Sequence, residues 1–96
     1  MTRYVLSPRA QADIDQIWDY TDDRWSEDQA ERYTEELRRA IEAVARDPRK
    51  GKFCDQIRRG YRKFSVGAHV LFFRVVDDGI EVIRVLHQQM DFERHL

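Results

Sequence analysis

The chain has 96 residues, 42% of them hydrophobic and 36% charged, with a formal net charge of −1. That length suits one domain burying roughly 65% of the unfolded chain's surface, so a single domain over residues 1–96 is expected. No apolar run approaches the roughly 20 residues of a membrane span, no basic-then-apolar leader opens the chain, and Cys54 is the only cysteine. These features lead to the expectation of a cytoplasmic protein without disulfides or membrane contact. With no second cysteine and no paired histidines at ligand spacing, no metal site and no cofactor are expected.

A short strand is predicted from Arg3 to Leu6, followed by Ser7-Pro8, where serine caps a helix and proline takes its first position. Ala10, Ile14, Ile17, Trp18, Thr21 and Trp25 then recur at helical spacing. Trp18 is read as core, and Trp25 as a partly exposed contact of the kind that anchors protein interfaces. Ser26 and Gln29 form a capping box for a second helix, with a stripe of Ala30, Tyr33, Leu37, Ala40, Ile41 and Val44. Asp47-Pro48 stops it, because the residue before proline avoids helical geometry. Only the cap separates the two helices, so they must fold back as a hairpin.

The charges are segregated. Gln11 to Asp47 holds 12 acidic and 5 basic residues, a net of −7. Pro48 to Lys63 holds 7 basic residues (Arg49, Lys50, Lys52, Arg58, Arg59, Arg62 and Lys63) against Asp55, a net of +6. Such a segment is either solubilising surface or a positive field that attracts phosphates or an acidic protein segment.

From Gly60 to Met90 the sequence predicts three strands, the last two at Ala68–Val76 and Gly79–Leu86 around an Asp77-Asp78-Gly79 turn. Side chains alternate along a strand. Simple alternation puts Val70, Phe72, Arg74, Val76, Glu81, Ile83, Val85 and His87 on one face. It puts His69, Leu71, Phe73, Val75, Val82, Arg84 and Leu86 on the other. Both faces are apolar, whereas an antiparallel sheet in a small domain usually keeps one face wet. The helical hairpin covers one; the C-terminal tail, a partner or both must cover the second. The tail carries Met90, Phe92 and Arg94 among polar residues and either packs across that face or presents a contact to a target.

In order, the elements are strand, helical hairpin, basic loop, three-stranded antiparallel meander and short tail. With the stretches Tyr4–Ile17 (YVLSPRAQADIDQI), Gly60–Arg74 (GYRKFSVGAHVLFFR) and Ile83–Asp91 (IRVLHQQMD), this order resembles the RelE/ParE toxin superfamily of bacterial type II toxin–antitoxin systems, and within it the ParE branch. The resemblance covers essentially the whole chain. It implies an α+β fold, with one small sheet packed on the helices. It implies a ParD-like antitoxin whose C-terminal segment wraps the toxin, whose N-terminal part binds operator DNA, and whose acidic tail suits the basic segment. Operator DNA would then be contacted only indirectly.

ParE-like members poison DNA gyrase by binding, and the resemblance carries that activity here, along with a role in plasmid stabilisation. The expected partner-binding residues are Trp25, Tyr33, Arg49, Lys50, Lys52, Arg58, Arg59, Arg62, Arg84, Met90 and Phe92. The alternative is a RelE-type, ribosome-dependent, metal-independent endoribonuclease using Arg62, His69, Arg84 and His87. That chemistry needs acid–base groups and phosphate clamps around one bond, and alternation sets His69 and His87 on opposite faces, which counts against it. Arg74 is expected to pair with Glu81, and Arg84 either to clamp phosphate or to bury its stem with the guanidinium at the sheet surface. A third reading, a non-toxic nucleic-acid-binding module, is disfavoured by the near-zero net charge.

Overall fold

The computed structural model describes residues 3–96. Strand β1 (Arg3–Leu6) runs directly into helix α1 (Pro8–Arg24). The Ser7 Oγ accepts the Ala10 N–H at 3.0 Å, with Pro8 at the first helical position, so cap and proline act as their sequence predicts. The Ser26 Oγ accepts the Gln29 N–H at 3.1 Å and opens α2 (Glu27–Arg46). Asp47 ends α2, and a single 3-10 turn, Pro48–Lys50, follows.

Five strands form one sheet in the order β1-β5-β4-β3-β2, completed by β2 (Lys52–Phe53), β3 (Arg62–Val66), β4 (His69–Val76) and β5 (Gly79–His87). The expected meander is its centre. Beyond the expectation, β1 joins it parallel to β5, and the basic segment supplies the two-residue edge strand β2.

The hairpin of α1 and α2 covers one sheet face. Ile17, Leu37, Ile41 and Val44 pack there on Leu71, Phe73, Ile80, Val82 and Val85. The other face is covered from two sides. Val70, Phe72 and Leu86 meet Cys54, Ile57 and Tyr61 from the loop after β2, and Phe92 and Leu96 from the tail, which forms a short helix α3 (Phe92–His95). The loop's part in this cover was not foreseen. Phe92 stacks edge-on against Phe72, ring centroids 4.9 Å apart. The tail is clipped down by two arginines: Arg84 donates to the His95 carbonyl at 2.8 Å, and Arg58 to the Leu96 main-chain oxygen at 2.7 Å.

Simple alternation fails at one point of β5. Phe72 pairs with Arg84 and Phe73 with Val82, so Ile83 is an extra residue without a partner, a β-bulge. A one-residue insertion moves every later side chain to the opposite face. Val85 and His87 therefore lie with Leu71 and His69, while Arg84 and Leu86 lie with Phe72 and Val70, the reverse of the expected assignment. His69 and His87 are direct cross-strand partners on one face. A second correction concerns Trp18, which is half-buried and outside the core. It lines a shallow groove between the helices with Ile14 and Arg38, and the space beneath α1 goes to the smaller Ala10, Ile17 and Thr21.

Gly79 starts β5 beside β1, where a Cβ would stand 1.7 Å from the Arg3 carbonyl oxygen. Gly79→Ala must therefore displace β1. It is expected to destabilise the fold by about 2 kcal/mol or more, read as a lower urea midpoint at unchanged slope.

Candidate functional site

Past Leu6, β5 has no strand on its outer side, and α1 supplies what the missing strand would have given. The Ser7 hydroxyl donates to the Ile83 carbonyl at 2.7 Å, and the Val85 N–H donates to Asp13 Oδ2 at 2.9 Å. The same carboxylate takes Arg84 bidentately, Nε to Oδ2 at 2.7 Å and Nη2 to Oδ1 at 2.9 Å. With side chains only 14% and 11% exposed, Arg84 and Asp13 form a largely buried ion pair, and the adjacent carboxylate raises the Arg84 pKa. The guanidinium is thus spent on Asp13 and the tail.

Next to this clamp, α1 and α2 diverge from the ends of β4 and β5 and leave a groove of about 850 Å³, within the range of ligand and peptide clefts. Ile17, Tyr20, Trp25, Val85 and Met90 give it apolar walls, and His69 and His87 contribute polar groups. Trp25 is 71% exposed at the junction of the two helices, the placement its position before the Ser26 cap predicts.

Tyr33 ties α2 to the turn between β3 and β4. Its hydroxyl accepts the Ala68 N–H at 3.2 Å and lies 2.6 Å from His69 Nδ1 and 3.3 Å from the Val66 carbonyl. A phenol that donates to Nδ1 leaves the hydrogen of a neutral His69 on Nε2. Burial raises the Tyr33 pKa, which keeps the phenol protonated. Burial first, then the neighbouring His87, pushes the His69 pKa down, so the ring is neutral at pH 7. His87 Nδ1 accepts the Gln89 N–H at 3.1 Å.

The expected site residues thus fall into separate places. Trp25, Tyr33, His69, Arg84, His87 and Met90 line one groove. Phe92 is half-buried in the cover over the second sheet face. Arg49, Lys50, Lys52, Arg58, Arg59 and Arg62 of the basic segment are not among the groove's lining residues; β2 forms the sheet edge opposite β1, and Arg58 reaches the tail at Leu96. Arg49 pairs with Asp47 at 2.9 Å; Lys50, Lys52 and Arg59 are exposed. Arg62 donates to the Pro48 carbonyl at 2.9 Å and stacks over Phe53 at 4.3 Å. Arg74 pairs with Glu81 at 2.7 Å, as the hairpin register predicts. Asp13, Tyr20 and His95 also line the groove, and Asp13 and Tyr20 have no place among the expected site residues. The one available signal was an acid at Asp13, one residue before the apolar Ile14, in a helix expected to pack on a sheet carrying Arg84.

Two outcomes follow. Asp13→Ala leaves a buried guanidinium and the Val85 N–H without their carboxylate, so a loss of about 3 kcal/mol is expected in denaturant unfolding. His69, neutral when folded and with a lowered pKa, contributes stability that is complete above about pH 6.5, the ordinary histidine value, and is lost as pH falls toward its folded pKa. Unfolding midpoints of the native chain should therefore drop more between pH 7.5 and 5.5 than those of His69→Gln; equal drops would remove His69 from the pH dependence.

A family model described as ParE toxin of the type II toxin–antitoxin system parDE matches residues 4–92. Toxin ParE1 of Mycobacterium tuberculosis is 57% identical over 96 residues, covering 99% of this chain and 98% of that one. Toxin ParE1 of Caulobacter vibrioides is 46% identical, covering 100% and 99%. The fold is shared with a solved structure described as the chromosomal ParDE TA system from P. aeruginosa, with a TM-score of 0.78, 18% identity, and coverage of 91% of this chain and 96% of that chain. With its strand, capped helical hairpin and meander matched along nearly the whole length, the chain belongs to the ParE toxin family of type II toxin–antitoxin systems.

Proposed function

We propose that this toxin is neutralised by a ParD-like antitoxin whose C-terminal segment occupies the groove between the helical hairpin and the ends of β4 and β5. We propose further that it inhibits DNA gyrase by binding, without catalysis of its own. The observation that carries this reading is the groove itself, an open cleft of about 850 Å³ with an exposed Trp25 at its rim. Aromatic side chains in such positions anchor protein interfaces. The solved chromosomal ParDE TA system from P. aeruginosa, which shares this fold, supports the partner class. The exposed cations at the β2 edge, Lys50, Lys52 and Arg59, suit an acidic part of the same antitoxin and would speed its association more than tighten it. On this reading the protein works in the cytoplasm, where gyrase is, and meets operator DNA only through its antitoxin.

A second reading, the ribosome-dependent endoribonuclease, gains from one observation: His69 and His87 share a face with ring centroids 5.4 Å apart. It loses from another. Arg84 is committed to Asp13, and Arg62 to Pro48 and Phe53, so neither expected phosphate clamp stands free beside the histidines.

Induced expression without antitoxin separates the readings. Gyrase inhibition is expected to give DNA-damage signalling and filamentous cells, and the purified toxin to reduce gyrase supercoiling at a stoichiometric ratio. Immediate translation arrest with cleaved messenger RNA, and unaffected supercoiling, would replace the gyrase reading with the ribonuclease.

A further inference from the structure

His69 and His87 stand side by side across β4 and β5, their ring planes at 83°, and both line the groove. Each Nδ1 is engaged inside the protein, that of His69 with the Tyr33 hydroxyl at 2.6 Å and that of His87 as acceptor from the Gln89 N–H at 3.1 Å. In a neutral imidazole whose Nδ1 accepts, the hydrogen sits on Nε2. Both residues are partly buried. Among the described residues neither Nε2 has a hydrogen-bond partner, and no buried side-chain nitrogen lacks one, so both Nε2–H groups reach open space. The fold therefore presents two Nε2 positions side by side, both donors when each Nδ1 accepts, beside the apolar Ile17, Val85 and Met90.

We propose that this pair is a carboxylate-binding site, and that its occupant is an Asp or Glu side chain carried by an amphipathic segment of the antitoxin. The choice of occupant rests on the function proposed above; the site does not. Two adjacent N–H donors match the two oxygens of a carboxylate, and hydrogen bonds to a charged acceptor are about twice as strong as neutral ones. A phosphate fits less well. The groove's guanidinium, Arg84, is neutralised by Asp13, so a dianion would meet no free arginine or lysine among the lining residues. Apolar side chains flanking the acid on the incoming segment would pack on Trp25 and Met90.

The test follows the imidazole nitrogen and hydrogen resonances of both histidines in the full chain at pH 7 and constant ionic strength. The probe is sodium benzoate, with benzamide as its uncharged counterpart. Both rings are expected in the Nε2–H form before addition. Both should shift saturably with benzoate alone, and His87→Ala should weaken that binding about tenfold or more, the loss of one hydrogen bond to a charged group. Either ring found in the Nδ1–H form, equal shifts with benzamide, or unchanged binding in His87→Ala overturns the site. A second measurement addresses the occupant: the affinity of the co-expressed antitoxin for the native chain and for His87→Ala. A loss of about tenfold supports the antitoxin carboxylate, whereas equal affinities beside intact benzoate binding overturn that occupant. Failure of the native chain to capture antitoxin at all overturns the proposed function and the occupant together, and is told apart by an unaltered benzoate response.

Discussion

Where β1 ends at Leu6, opposite Val82, β5 loses its strand neighbour with the five residues Ile83–His87 still to run. Unpaired main-chain groups that cannot reach water cost as much as a lost hydrogen bond, and helix α1 meets the demand with two side chains. Ser7 serves both as the helix cap and as donor to the Ile83 carbonyl, and Asp13 takes the Val85 N–H. Arg84 then balances the Asp13 charge in a place where an unpaired carboxylate would be costly. One turn of helix and one segment of strand are thereby locked at a fixed distance.

Much of the architecture depends on that lock. The bulge at Ile83 sits within it, bracketed by the Ser7 and Asp13 hydrogen bonds. The bulge sends Val85 toward the helical hairpin and Leu86 toward the tail, so each of the two cores receives one large side chain from the end of β5. It also brings His87 opposite His69. Arg84, on the reverse face, reaches both Asp13 and the His95 carbonyl, which makes the tail part of the same unit. The groove is then bounded by elements tied to one another through Ser7, Asp13 and Arg84.

The division of charge gains meaning from the same geometry. The acidic hairpin covers one face of the sheet, whereas the basic segment supplies the β2 edge and part of the cover over the other face. A partner segment long enough to reach from the groove to the β2 edge would meet apolar walls first and exposed lysine and arginine afterwards. Burial would supply most of its affinity and the exposed charges most of its rate of approach.

What the sequence determined by itself was local. Ser7-Pro8, Ser26 with Gln29, and Asp47-Pro48 fix helix ends because capping and proline sterics act within four residues. The Arg74–Glu81 pair follows from a turn and a register counted from that turn. The exposure of Trp25 follows from its place at a helix junction. The tertiary structure alone decided the rest. No local signal marks Ile83 as the extra residue, because a bulge forms where the backbone on either side is satisfied by something distant, here a helix more than 70 residues earlier. Alternation therefore predicted the faces correctly up to Val82 and inverted them from Arg84 onward. The parallel pairing of β1, the loop over Cys54 and the half-exposure of Trp18 are likewise results of long-range packing, in which small residues such as Ala10 fit the space beneath α1 that an indole would overfill.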